Sequence, residues 1–489
     1  MRQLTGLDAA FLNMETGRFT GHVGGLVLLD PRDTPSGTVT VDDIRRSIES
    51  RLHLLEPFRW RLVQVPFDLD YPYWAETEDF DLEFHIRELA LPAPGNREQL
   101  AEQVARITAR PLDRSRPLWE MYVIHGLESG LVGLQTKIHH AAVDGASGAE
   151  ILSVLFDLQP EPNIAPPSER WKSEKVPGDV ELVGRALTHL ATQPLQAMWT
   201  LRRLPGGVLK IGASQASNRD GGVLESLDIR APRVSFNAAV TPHRRFAFGS
   251  VDLNKVKGIK RAFGATVNDV VLAMCAGALR RWLLDHGELP DQPLVVAVPV
   301  SVRTEEEKGT YGNKVSAMMA PLPTNESHPR LRMELISEAM KGAKDRHGAL
   351  PATLMQDIGQ FMPPALAARA ARVGTRLMSQ VSGSGPVPFN LLVSNVPGPQ
   401  HPLYVAGARV TAHHIVSGIG DGQGLNISLL GLDGRLDFGL VGDRELVPDL
   451  WKLMDYIAEE ADVLAKAAPR PAKRPRARSR KPASSKNSR

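Results

Sequence analysis

The 489-residue chain has a single cysteine, Cys275. One thiol excludes an internal disulfide framework and any metal site built from several cysteines, and a reducing compartment is the simplest setting for it. Long apolar runs are also missing. The purest short one, Pro293 to Val300, has the length of a strand, far below the roughly 18 residues that span a bilayer. Met1 to Thr20 holds Asp8, Glu15 and scattered polar residues without an apolar h-region, so it does not read as a secretory signal. There is no G-x-S-x-G nucleophile elbow, and Gly418 to Gly424 is glycine-rich without matching G-x-G-x-x-G. Neither an acyl-enzyme on serine nor a dinucleotide site is therefore expected. Cys275 sits between Met274 and Ala276 among apolar and small neighbours, the setting of a core residue rather than a nucleophile. The formal net charge of +3 is unevenly spread. Residues 470–489 hold nine Lys or Arg and no acid; without them 49 basic residues face 55 acidic ones, and the body carries about −6. The tail, mostly Pro, Ala, Ser, Lys and Arg, has the composition of a disordered segment.

Periodicity predicts two alternating α/β blocks. The first has strands at Gly24–Leu29, Trp60–Val65 and Phe80–Arg87, and helices at Thr40–Leu55 and Asn96–Arg110. A hairpin of Glu120–Leu127 and Leu131–Ile138 follows, then a helix at Ser147–Leu158. Gln159 to Gly178, with five prolines, reads as a linker. The second block starts near Arg244, with a strand Arg245–Val251, a helix Thr266–Leu284 and a strand Leu294–Val302. A helical region runs from Pro329 to about Gln380, followed by strands at Asn390–Asn395, Ala408–Ile415, Leu425–Leu432 and Arg435–Val441 and a last helix to Lys466. The expected division is 1–160, a linker with a helical segment at 161–243, 244–466, and a basic tail at 467–489. No sequence repeat relates the blocks.

The sharpest chemical signal is His139-His140-Ala141-Ala142-Val143-Asp144-Gly145, at a strand end and before a helix. Neighbours on a strand point to opposite sides, so one histidine at most faces a given cavity. A histidine there can take a proton from a hydroxyl near neutral pH and return it to a leaving group. Asp144 either orients His140 or pairs with an arginine to fix the loop, and Gly145 keeps a channel open or permits positive φ. The plain alternative is a structural histidine pair with a helix-capping aspartate.

The motif resembles the HHxxxDG signature of CoA-dependent acyltransferases, and more of the chain resembles one branch, the bacterial wax ester synthase/diacylglycerol acyltransferases. The resemblance rests on Leu4 to Leu12 (LTGLDAAFL), Pro111 to Glu120 (PLDRSRPLWE), Thr266 to Ala273 (TVNDVVLA), Pro299 to Arg303 with Gly312-Asn313, Ser394 to Pro399 (SNVPGP), Gly424 to Ile427, and Asp437 to Gly439. It implies a two-domain α/β chloramphenicol-acetyltransferase-like fold, with mixed sheets flanked by helices and a tunnel between the halves. It also implies an enzyme that esterifies diacylglycerol, and long-chain alcohols as further acceptors, with acyl-CoA as co-substrate and no metal or other cofactor. By the same analogy His140 is the general base, beside His139, and Asp144 makes a structural salt bridge for which Arg303 is the best candidate; Arg303 is otherwise solvated or CoA-facing. Asn268 can bond a substrate or the histidine loop, while Asp269 is placed either near the site or as the cap of its own helix. Ser394 and Asn395 either stabilise charge on the thioester oxygen or form a plain turn. His413-His414 repeats the pair without Asp-Gly at the right spacing and reads as structural.

A lipid acceptor comes from a membrane or droplet surface. Glu181 to Lys210 and Leu354 to Met378 mix Leu, Met, Phe or Trp with arginines, as interfacial helices do and as ordinary packed helices also do. The basic tail offers a contact to anionic lipid or is a tail without a specific partner, and no nucleic acid is expected. The expected location is the cytoplasm, with peripheral contact to the inner membrane face or lipid droplets as a further reading. The competing readings are a condensation-type or polyketide-associated transferase fed by a carrier-bound acyl group and a non-catalytic lipid-surface protein.

Overall fold

Three capping boxes fix helix starts where the sequence places them. Thr40 with Asp43, Asn96 with Gln99 and Thr266 with Asp269 each exchange side-chain and backbone hydrogen bonds across the first turn. The computed structural model describes residues 1–77, 81–143, 151–161, 172–189, 231–301, 315–349 and 387–469.

The first half contains β1 (Arg2–Gln3), α1 (Gly6–Met14), β2 (His22–Asp30), α2 (Val41–Glu49), β3 (Trp60–Val63), β4 (Tyr73–Glu76), β5 (Ile86–Ala90), α3 (Arg97–Thr108), β6 (Trp119–His125) and β7 (Val132–His139). The second contains β8 (Arg244–Asp252), α4 (Leu253–Phe263), α5 (Val267–Asp285), β9 (Leu294–Ser301), β10 (Val315–Leu322), α6 (Pro329–Ala349), β11 (Leu391–Val396), β12 (Tyr404–Val405), β13 (Ala408–Val416), β14 (Leu425–Leu432), β15 (Arg435–Asp443) and α7 (Leu450–Ala467). They form two mixed six-stranded sheets, ordered β12-β13-β2-β7-β6-β5 and β10-β9-β11-β14-β15-β8, and a small sheet β1-β4-β3.

Two strands leave their own half. β13, from within 244–466, pairs antiparallel with β2, and β12 pairs with β13, so the second half completes the first sheet. The chain then returns to β14 through Gly418–Gly424. Behind this crossover, Leu26, Leu100, Val104, Phe246, Phe248, Val416 and Val441 form one buried cluster drawn from both halves. At about 25 cal/mol per Å² of apolar surface, burial of this kind ties the halves together.

The second half is built on α5, whose Val270–Ala276 and Ala278–Leu279 are all buried. Among them is the Cys275 thiol, pushed up to about 12 by burial, in keeping with a core role. Gly277 disfavours a helix interior, and the reason it stands there is spatial. A Cβ at 277 would sit 1.9 Å from Glu460 Oε2, whose carboxylate is paired with Arg332 at 2.8 Å in the same buried place.

The structure departs from sequence expectation at several places. Phe80–Arg87 is not one strand: among the described residues Asp81 caps a helical turn, Leu82–His85, before β5 begins at Ile86. The helices α1 and α4 and the strands β1, β4, β10 and β12 were not anticipated. β10 is held across its full length by antiparallel pairing with β9. α4 is capped by Asp252 and closed by Gly264 at φ 65°. The expected helix Ser147–Leu158 is described only from 151, and 179–189 is helical. Residues 190–210, Leu354 to Met378 and the basic tail from 470 lie outside the described residues.

Candidate active site

The histidine pair ends β7. In the β2–β7 ladder His139 stands opposite His22, and beyond it the His140 N–H donates to Gly21 O at 2.8 Å. The two rings have different fates. His139 is 1% exposed. Its Nδ1 accepts the N–H of Ala141 at 3.0 Å, which assigns the ring proton to Nε2, and Nε2 lies 3.3 Å from Glu15 Oε1. His140 is only half-buried, and its ring stacks on Phe11 with centroids 4.2 Å apart and planes 13° apart.

Glu15 is the hub of this corner. It follows α1, which Thr5 and Asp8 start with a capping box. Its Oε1 accepts the N–H of Gly21 at 2.8 Å, and its Oε2 accepts from Arg114 Nη2 at 2.7 Å. Arg114 also donates to Leu12 O, in the last turn of α1. Burial opposes ionisation of Glu15, but the His139 ring, Arg114 and the Gly21 amide outweigh it and hold the carboxyl down at about 2. Gly21 is required here: a Cβ would lie 2.9 Å from His139 Nε2 and 3.1 Å from the Phe11 carbonyl.

Behind His139, Gln135 and Lys137 share the buried face of β7, spaced two apart as strand geometry dictates. Lys137 Nζ donates to the carbonyls of Ile107 and Arg110, at the end of α3, and lies 3.7 Å from Glu120. Burial lowers this ammonium to about 8. His22 Nε2 lies 2.6 Å from Thr108 O at the same helix end, and burial pushes His22 well below its ordinary value.

A second group lies in the other sheet. Asn395, on β11, donates from Nδ2 to Asn268 Oδ1 at 3.5 Å, joining β11 to the first turn of α5. Ser394 sits beside Asn395 on β11, opposite Ser428 of β14 in the parallel ladder. Asp269 is 4% exposed, and its Oδ2 accepts from the Thr266 N–H at 2.9 Å and the Ser337 hydroxyl at 3.1 Å, the arrangement of a helix cap. Asp144, Gly145 and Arg303 lie outside the described residues. His413 and His414 are buried, and burial depresses them to about 4 and about 3, as befits structural neutral rings.

Residues 4–271 match the wax ester synthase/diacylglycerol acyltransferase catalytic domain, and residues 311–465 match the WS/DGAT C-terminal domain. The chain belongs to the wax ester synthase/diacylglycerol acyltransferase family. It is similar to a Mycobacterium tuberculosis H37Rv protein named as a diacylglycerol O-acyltransferase, at 36% identity over 94% of this chain and 89% of that one. A second protein of that strain bearing the same activity in its name is 34% identical, over 94% of this chain and 98% of its own. Among solved structures, the wax ester synthase/diacylglycerol acyltransferase of Marinobacter aquaeolei VT8 matches with a TM-score of 0.67 and 30% identity, covering 96% of this chain and all of that one. The first condensation domain of the CDA synthetase matches at 0.53 and 18% identity, over 96% and 97%, which shows the shared two-domain fold alone.

As a member of this family the chain is an acyltransferase. Two of the motifs that carry the family resemblance meet at Arg114, which lies in Pro111–Glu120, donates to the Leu12 carbonyl of Leu4–Leu12 and pairs with Glu15; Phe11 of the first motif stacks on His140. Phe11, Glu15, Gly21 and Arg114 were not singled out as site residues from sequence. The signal was present, since Phe11 and Arg114 lie inside those motifs, but the contact of Arg114 with Glu15 spans 99 positions. No single helix among the described residues is long and apolar enough to cross a membrane.

Proposed function

We propose that this acyltransferase esterifies the free hydroxyl of diacylglycerol with the acyl group of acyl-CoA, with His140 as general base. The observation that carries the reading is the unequal treatment of the two histidines. His139 is locked by Ala141 and Glu15, whereas the half-buried His140 stands at the strand end, steadied on Phe11. His140 takes the proton from the acceptor hydroxyl as its oxygen attacks the thioester carbonyl. The C–S bond of the tetrahedral intermediate then breaks, and the same ring returns the proton to the departing thiolate, giving ester and free CoA. Asp144 would hold the loop, with Arg303 its proposed partner. The amides of Asn268 and Asn395 and the Ser394 hydroxyl are the proposed polar groups near the substrates. No metal or further cofactor takes part. The names of the mycobacterial relatives support diacylglycerol as the acceptor, and the Marinobacter structure supports long-chain alcohols as a second acceptor class.

We also place the enzyme at an anionic lipid surface, where the nine basic residues of 470–489 contribute about 1 kcal/mol each near the headgroups. Free-thiol release from palmitoyl-CoA, measured with diacylglycerol, hexadecanol and no acceptor, tests the reaction. Release that depends on acceptor supports it, and release equal in all three overturns it. Vesicle co-sedimentation with and without the tail tests the surface contact, and equal binding by both forms overturns that part.

A further inference from the structure

We propose that Asn426 binds an ester carbonyl already present on the acceptor, and so sets a preference for diacylglycerol over a plain long-chain alcohol; this rests on the esterification reading above. Gly424 to Ile427 carries part of the family resemblance, yet it takes no part in the proton transfer. Asn426 lies on β14, 3% exposed, with the apolar Leu392 of β11 on one side and Val441 of β15 on the other. Its Oδ1 accepts from the Ser428 hydroxyl at 2.8 Å, and the Ser428 oxygen lies 3.0 Å from Ser417 Oγ. A hydroxyl has one proton, and that of Ser428 goes to Asn426, so Ser417 donates in the second bond. This relay fixes the amide with its oxygen taken and its nitrogen left over. Among the described residues Asn426 Nδ2 has no hydrogen-bond partner. Leaving a buried N–H unpaired is costly, and buried polar groups in native folds are nearly always satisfied. A carbonyl oxygen is the partner that this donor fits.

Strand alternation turns this amide toward the space that His140 faces. On β14, Leu425, Ile427 and Leu429 pack into the core around α5, whereas Leu430 and Leu432 pack into the core of the first half. Asn426 and Ser428 share the second face. On β13, Val416 stands opposite Gly24 and is buried in the same cluster as Leu26. Ser417, the next residue, turns to the other face of that sheet, the face of Ile138 and His140. Residues that line this face are only half-buried although they lie between two sheets: Ile138 and His140, Ser417, and Leu392 and Ser394 on β11. They bound a space with the His140 ring on one wall and the Asn426–Ser428 row on the other. Gly418 brings the walls close. A Cβ there would lie 3.4 Å from Thr20 O, beside the Gly21 carbonyl that holds the His140 N–H. A diacylglycerol with its free hydroxyl at His140 carries two ester carbonyls within a few bonds of that hydroxyl. A long-chain alcohol carries only methylenes there and leaves Nδ2 unpaired. A site built around a buried donor rejects the analogue that lacks the acceptor more strongly than an apolar pocket discriminates by size.

The test compares 1,2-dioleoylglycerol, its ether analogue 1,2-dioleylglycerol, which lacks both carbonyls, and hexadecanol as acceptors for thiol release from palmitoyl-CoA. Wild type and Asn426→Leu are both measured, with circular dichroism to confirm folding. The wild type is expected to use the ester with a kcat/KM about tenfold above the ether. Asn426→Leu is expected to bring that ratio close to one and to lower the ratio of diacylglycerol to hexadecanol by the same factor. A wild type that uses ester and ether alike overturns the proposal, however the variant folds. A folded Asn426→Leu that keeps the wild-type ratios also overturns it; if all its rates have fallen together, the amide serves the thioester instead. Release that no acceptor stimulates overturns the esterification reading and this inference with it, whereas stimulated release with equal ester and ether rates overturns this inference alone.

Discussion

Replacing Glu15 by Gln keeps the shape of the histidine corner and removes its charge. In the native protein this carboxyl is held at about 2 instead of 4.5, because the His139 ring, Arg114 and the Gly21 amide outweigh the burial that opposes ionisation. Each tenfold gain in acidity is worth about 1.4 kcal/mol, so the ionised carboxylate contributes at most about 3.5 kcal/mol to stability. A depressed acid contributes in full above its unfolded value, and that contribution is lost as pH falls from about 4.5 toward about 2. Glu15→Gln is therefore expected to lower the unfolding midpoint by several degrees at pH 7, with the gap to wild type narrowing below pH 4.5. The assay is thermal or urea unfolding of both proteins at pH 7, 5, 4 and 3. A gap of constant size across that range, or none at pH 7, would refute the reasoning that Glu15 is stabilised as a carboxylate by its three neighbours.

Gly277→Ala places a Cβ against the buried Arg332–Glu460 pair and is expected to destabilise by about 3–5 kcal/mol, the range for a disrupted buried ion pair, read by urea denaturation. Gly21→Ala forces apart His139 and the Phe11 backbone; turnover should fall at least tenfold, and wild-type turnover would show that the corner is not rigid. Cys275 should resist a thiol reagent in the folded protein and react only after unfolding, since its thiol is buried and pushed up to about 12. Fast labelling of native protein would contradict its core placement.

Local signals were legible in the sequence and distant pairings were not. The capping boxes of Thr40 with Asp43 and of Thr266 with Asp269, the β6–β7 hairpin and the structural role of His413-His414 follow from residues within a few positions of one another. Burial at His413 and His414 decides against a second catalytic pair in a way that the missing Asp-Gly had already suggested. The crossover of β13 was not legible, because its pairing joins Val416 to Gly24 and no local pattern encodes which sheet a strand enters. Glu15 escaped notice for the same reason. It reads as an ordinary acid among scattered polar residues, and only folding brings it to Arg114 and His139. Asp269 shows a motif residue whose geometry is sufficiently explained by capping, with Ser337 as its further partner.

The central claim, that His140 moves the proton, is tested most directly by His140→Ala in the acceptor-dependent thiol-release assay, with circular dichroism as the check on folding. General-base catalysis of this kind is worth roughly 10²–10⁴-fold. A fall of that size in a folded protein is the expected result. A folded variant that keeps more than about a tenth of the wild-type rate would contradict the account.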